Sequence, residues 1–155
     1  MSQIIYGIHP VEEALKSPHI QLQKILIGTQ KPNPMLQSIL DLSIQRQIPV
    51  TFTPKETLEQ MARGGLHQNV VAITKEIPYV GLEEILDRSK KQTTNALFLI
   101  LDGIQDPQNF GSLVRTALGC GVHGIIIPKD RAVGITPTVI KASAGAAAHL
   151  SISKV

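Results

Sequence analysis

The stretch Leu101-Asp102-Gly103-Ile104-Gln105-Asp106-Pro107-Gln108-Asn109-Phe110-Gly111-Ser112-Leu113-Val114-Arg115-Thr116-Ala117 concentrates the residue types that do chemistry. It follows an apolar run, turns at Asp106-Pro107 and continues with helical period. In open α/β sheets, ligands bind where a segment leaves the carboxyl end of a strand for a helix. Phe110, Leu113, Val114, Ala117, Leu118 and Gly121 form an apolar stripe, and Arg115 lies off it. Gly111, Ser112 and Gly119 share the Arg115 face and are all small. That leaves room for a phosphate or another subunit to reach a permanently charged guanidinium. Asn109 stands just before Phe110 and reads as a helix N-cap. Each residue also has a structural alternative: Arg115 as a solvated helix residue, Gly111 as a close-packing point, Asp102 and Asp106 as turn residues. The glycine pattern of a dinucleotide or phosphate loop is missing, which disfavours a nucleotide-binding module.

The elements that must position this segment alternate between strand and helix. Residues 4–8 read as a weak strand, and Pro10 to Leu15 as a short helix with Pro at its start. Leu22 to Ile27 is a strand. Asn33-Pro34 opens a helix with Leu36, Ile39, Leu40 and Ile44 on one face. Val50 to Phe52 is a strand, and Thr53-Pro54-Lys55-Glu56 is a capping box before a helix that turns Leu58, Met61 and Ala62 inward. Val70 to Thr74 closes a βαβαβαβ set, which implies a small three-layer α/β unit. Residues 77–95, with Pro78, Gly81 and a polar run, read as a linker with one short helix. Ala96 to Leu101 lacks alternation, as a parallel strand buried on both faces would. A helix from Phe110, a strand from Gly124 to Ile127, a helix capped by Thr136-Pro137 and the start of a strand near Ser151 follow.

Composition removes several functions. The chain has 155 residues, which allows one ordinary domain or two small ones. Aromatics are 3%, too few for a nucleic-acid binder built on stacking platforms. One cysteine, Cys120, excludes a disulfide scaffold and a multi-cysteine metal site. No apolar run has membrane-spanning length and the N-terminus lacks a leader pattern, so a cytoplasmic protein with no membrane partner and no metal is expected. A net charge of +3 permits a polyanionic partner.

Residues 102–111 with Arg115-Thr116-Ala117 closely resemble motif 1 of the SpoU (TrmH-like) RNA ribose 2′-O-methyltransferases, of the knotted SPOUT class. Gly121-Val122-His123-Gly124, Pro128-Lys129-Asp130-Arg131 and Ala142-Ser143-Ala144-Gly145-Ala146 resemble the same family. Tyr6-Gly7-Ile8-His9-Pro10-Val11 and Leu66-His67-Gln68 resemble the branch that modifies a guanosine of 23S ribosomal RNA, although Asn69 stands where that branch usually has Gly.

The resemblance implies an L30e-like three-layer α/β RNA substrate-binding domain over residues 1–76, the linker 77–95, and a truncated SPOUT (α/β-knot) methyltransferase domain over 96–155. It implies S-adenosylmethionine as methyl donor, large-subunit ribosomal RNA as partner, and a homodimer through the SPOUT domain. It assigns Arg115 to the catalytic step, with Asn109 supporting it. His9, His67 and Arg63 become candidate RNA contacts, with the two histidines equally readable as local hydrogen-bonding residues at turns. Lys24, Lys31, Arg46 and Lys55 are further phosphate candidates. Motifs 2 and 3, which supply most of the cofactor pocket, lie beyond Val155. The expectation is therefore that no cofactor-binding residue falls on these residues and that they alone do not methylate RNA. A non-catalytic RNA-binding protein using only the first domain is the alternative.

Overall fold

In the computed structural model, residues 2–92 and 95–155 are described; Thr93 and Thr94, inside the polar run read as linker, lie outside them. The chain divides into two units, residues 1–77 and 78–155.

In the first unit the apolar runs become β1 (Ser2–Tyr6), β2 (Leu22–Ile27), β3 (Val50–Phe52) and β4 (Val70–Lys75). They alternate with α1 (Ile8–Lys16), α2 (Pro34–Gln45) and α3 (Lys55–Met61), in the expected βαβαβαβ order. The sheet order is β1-β4-β2-β3, antiparallel except for the parallel pair β2–β3. Side chains alternate across the pleat and so fill two cores. On one face Tyr6, Leu26 and Val71 pack with Leu58 of α3 and with Ala62, which caps its end. On the other, Ile5, Ile25, Ile27, Val70 and Ala72 are buried beneath α1 and α2. This is the three-layer arrangement.

Local chemistry moved several boundaries. Helix α1 starts at Ile8, so Pro10 sits at its third position and not its first. The capping box at Thr53 does not form. Thr53 N–H still donates to Ile27 C=O at 2.9 Å, prolonging the β2–β3 pairing, and α3 begins only at Lys55 with no side-chain cap. On α2, Leu36 and Ile39 are buried as expected but Ile44 is exposed. The buried face continues instead through Ser43, whose hydroxyl donates to Ile39 C=O at 2.6 Å.

The second unit holds α4 (Leu82–Gln92), β5 (Phe98–Ile100), α5 (Pro107–Gly119), β6 (Gly124–Ile127), α6 (Pro137–Ala142), a 3₁₀ turn (Ala146–Ala148) and β7 (Ile152–Lys154). The three strands are parallel, in the order β5-β6-β7. Residues 78–92 pack into this unit: Val80 N–H donates to Ile152 C=O at 2.9 Å, and Ile85 of α4 is buried against Gly124, where a Cβ would lie 2.5 Å from its methyl carbon. The strand after residue 96 is not buried on both faces. Among the described residues β5 pairs only with β6, and Leu97 (51%) and Ile100 (70%) are exposed. Apolar, non-alternating sequence describes its composition, but burial follows from neighbours, and among the described residues β5 has one strand neighbour. Among the described residues no helix is long and apolar enough to cross a membrane.

Candidate functional site

In the second unit the segment 101–106 leaves β5 at its carboxyl end and turns into α5. Gly103 has φ 72, a left-handed conformation natural to glycine, and nothing lies within 4 Å of where its Cβ would be. Pro107 takes the first helical position, where its missing N–H costs nothing. The N-cap is therefore Asp106, whose carboxylate accepts from Asn109 N–H at 2.7 Å. This corrects the placement of Asn109: it lies inside the first turn as the capped residue, with its side chain exposed.

The α5 stripe buries Phe110, Val114 and Ala117. Gly111 is buried too. A Cβ there would lie 2.4 Å from Ala142 Cβ, so Gly111 permits the close approach of α6 and does not open space beside Arg115. The exposed face that remains carries Ser112, Arg115, Thr116 and Gly119. No heavy atom lies within 4 Å of a Cβ built at Gly119. Arg115 makes no hydrogen bond or ion pair among the described residues. It is a fixed positive charge on an open face, suited to holding a phosphate or stabilising a developing oxyanion. On α6, burial pushes the Lys141 ammonium below its ordinary pKa of 10.5.

The loop 128–136 after β6 adjoins the same crown. Val133 N–H donates to Ile104 C=O at 2.8 Å, joining the two loops at the carboxyl ends of the parallel strands. That edge is where an α/β sheet accepts a nucleoside-like ligand, and the open backbone at Gly103 suits it. Among the described residues no group of three or more His, Cys, Asp or Glu side chains is arranged to hold a metal.

In the first unit, the structure brings His9, Arg63 and His67 to one end of the sheet. β1 and β2 end there, and β4, antiparallel to both, begins there. Gly7 N–H donates to Val70 C=O at 3.2 Å and Gly28 N–H to Asn69 C=O at 2.9 Å. The Gln68 side-chain oxygen accepts from Ile8 N–H at 3.1 Å, capping α1 from across the gap. His9 is exposed in the first turn of α1, not in a turn between elements. His67 is 6% exposed and its Nδ1 accepts from Asn69 N–H at 3.2 Å. Arg63 is exposed with φ 49, and Gly64, Gln68 and Asn69 also have positive φ.

The other cations differ in availability. Arg46 is not a phosphate candidate: its Nη1 donates to the carbonyls of Ala14 (3.2 Å), Leu15 (2.8 Å) and Ser17 (2.9 Å), closing the carboxyl end of α1. Lys55 Nζ lies 3.7 Å from Glu59, Lys31 is exposed, and Lys24 is half-buried on β2. The sequence reading passed over Asp106, although Asp-Pro ahead of an apolar helix carries the same signal as Asn33-Pro34. It also passed over Gln68 as a cap and Tyr79, for which only a tertiary contact gives a signal.

Residues 4–80 match the family described as RNA 2′-O ribose methyltransferase substrate binding, and residues 96–155 match the SpoU rRNA methylase family. YacO of Bacillus subtilis, named for the TrmH family of tRNA/rRNA methyltransferases, is 38% identical over 151 residues, covering 97% of this chain and 60% of its own length. A similarly named protein of Staphylococcus epidermidis is 38% identical over 152 residues, covering 98% and 60%. The chain thus spans about three-fifths of these relatives. Among solved structures, an AdoMet-bound rRNA methyltransferase from Sinorhizobium meliloti aligns with TM-score 0.75 at 20% identity, over 99% of this chain and 54% of that one. The SpoU methyltransferase AviRb from Streptomyces viridochromogenes aligns with TM-score 0.75 at 22% identity, over 99% and 53%. These likenesses establish a shared fold.

Proposed function

The chain belongs to the SpoU/TrmH family of RNA methyltransferases, and from that premise we propose that the protein carrying it transfers a methyl group from S-adenosylmethionine to a ribose 2′-hydroxyl of RNA. The substrate in this reading is a guanosine of 23S ribosomal RNA, modified in the cytoplasm by a homodimer. Residues 1–76 engage the RNA and 96–155 form the first part of the methyltransferase domain; residues 78–92, inside the span read from sequence as a linker, pack with the latter and do not merely connect. The observation that carries the reading is Arg115, a charge with an open face and no partner among the described residues, within the stretch that resembles motif 1.

S-adenosylmethionine supplies an electrophilic methyl on a sulfonium. The 2′-oxygen forms the new bond to that carbon as the carbon–sulfur bond breaks, and the hydroxyl proton is lost to water. A guanidinium stays protonated at working pH, so Arg115 does not take that proton. It grips a neighbouring phosphate and stabilises negative charge gathering on the 2′-oxygen, which makes the hydroxyl a better nucleophile. Asn109, exposed in the first turn of α5, supports the substrate beside it. His9 and Arg63 contact RNA at the end of the first sheet, and His67, held by the Asn69 N–H, fixes the turn behind them.

The test is radiolabelled methyl incorporation into large-subunit RNA by the protein carrying this chain, unsubstituted and as Arg115→Ala. Loss of one transition-state charge contact should lower turnover by about a hundredfold or more, with the circular dichroism and melting temperature unchanged. Turnover near the unsubstituted value overturns the role of Arg115. Absence of incorporation by the unsubstituted protein into any RNA overturns the reading.

A further inference from the structure

The loop 128–136 lies on the surface, where backbone is ordinarily mobile. Here it is tied at three points. Lys129 N–H donates to Val155 C=O at 2.6 Å and Val133 N–H to Ile104 C=O at 2.8 Å. The third tie depends on a side chain: Ile135 N–H donates to the Tyr79 hydroxyl at 2.9 Å. The same hydroxyl occupies the space a side chain on Gly134 would need, since a Cβ there would lie 2.7 Å from it. Tyr79 is itself held. Lys154 Nζ sits 5.6 Å from its ring centroid, and the next residue, Val80, bonds to β7 through Ile152 C=O. Between the ties the loop presents Arg131, exposed and in left-handed backbone with φ 56. Backbone of that kind persists only where its surroundings over-determine it.

We propose that Tyr79 is a positioning residue: it locks residues 133–135, and through them presents Arg131 to RNA at the carboxyl ends of the parallel strands. The inference rests on the RNA methyl-transfer reading for its ligand. Tyr79→Phe keeps the ring over which Lys154 lies and removes only the acceptor. Hydrogen exchange should then run about fivefold faster at the amides of Val133 and Ile135, while amides of β6 and β7 keep their wild-type rates. In the methylation assay the KM for RNA should rise about fivefold with kcat within about twofold, because binding geometry is lost and the reacting groups are not. A general loss of stability would speed exchange throughout and would not produce that split.

Gly134→Ala, which pushes the hydroxyl aside, should reproduce both effects. Combined with Tyr79→Phe it should add little, because the clashing oxygen is gone. Unchanged exchange at Val133 and Ile135, or faster exchange with an unaltered KM, overturns the proposal. If the wild-type protein methylates no RNA, the methyl-transfer reading falls by itself. Fluorescence anisotropy with large-subunit RNA fragments then decides Tyr79: weaker binding by Tyr79→Phe upholds its role, and equal binding overturns it.

Discussion

Adding one methyl group to Gly111 should destabilise the second unit, although the same change inside most helices does the reverse. A Cβ at Gly111 falls 2.4 Å from Ala142 Cβ, 2.9 Å from the Val139 carbonyl oxygen and 3.0 Å from Ser143 N. Carbon atoms settle at about 3.5–4.0 Å, so α6 would have to retreat by roughly 1 Å. None of the three atoms is the tip of a flexible side chain: two are backbone and one is a Cβ. Helix propensity favours Ala over Gly by about 1 kcal/mol, and overpacking of this kind costs about 1–3 kcal/mol. At 2.4 Å the upper part of that range applies, giving a net loss of about 1–2 kcal/mol, or roughly 5–15 °C in melting temperature for a unit of this size. Gly119, in the last turn of the same helix, is the control. Nothing lies within 4 Å of its Cβ position, so Gly119→Ala should be neutral or stabilising by up to about 1 kcal/mol. Calorimetric melts of the two variants beside wild type measure both signs. A Gly111→Ala protein that melts at or above wild type would refute the packing argument.

Two further outcomes follow from the side-chain geometry. Arg46→Ala strips the donor from three carbonyls at the end of α1 and should cost the first unit about 2 kcal/mol in urea denaturation, while leaving the salt dependence of RNA binding unchanged; a shallower salt slope would return Arg46 to the phosphate contacts. Asp106→Ala removes the cap of α5 and should lower the stability of the second unit by about 1 kcal/mol, whereas Asp106→Asn should retain most of it; equal loss in both variants would show that the cap hydrogen bond to Asn109 N–H is not what matters.

The alternation of strands and helices was legible because apolar runs with the right period and length admit few other readings. Helix starts were legible where a capping side chain directly precedes Pro. Asn33-Pro34 and Thr136-Pro137 both form the expected caps, with side-chain oxygens accepting from Leu36 N–H and Val139 N–H. Asp106-Pro107 obeys the same rule, but Asn109 is also a favoured cap type and lay closer to the apolar stripe. Thr53-Pro54 fits the rule in sequence and fails in space, because the Thr53 backbone is still engaged with β2. What sequence could not disclose were the long-range partners. The use of Arg46 on α1, the packing of Gly111 on α6 and the bond from Ile135 to Tyr79 each join positions far apart in the chain. The exposure of β5 is of the same kind, since among the described residues it pairs only with β6, and burial depends on neighbours and not on composition.

The turn before β4 also bears on a trade between stability and use. Gln68 and Asn69 hold left-handed backbone and give structural returns: Gln68 caps α1, and the Asn69 carbonyl accepts from Gly28. Arg63 holds φ 49 with a return of the same kind: as the residue after the α3 cap, its N–H donates to Gln60 C=O at 3.2 Å and the next N–H, of Gly64, to Glu59 C=O at 3.3 Å, closing the end of α3 while its side chain stays exposed. Glycine would rest in that conformation with about 1 kcal/mol less strain. The chain thus carries a small strain at Arg63 that the closure of α3 offsets, and it places a charged, exposed side chain where glycine would end the helix equally well.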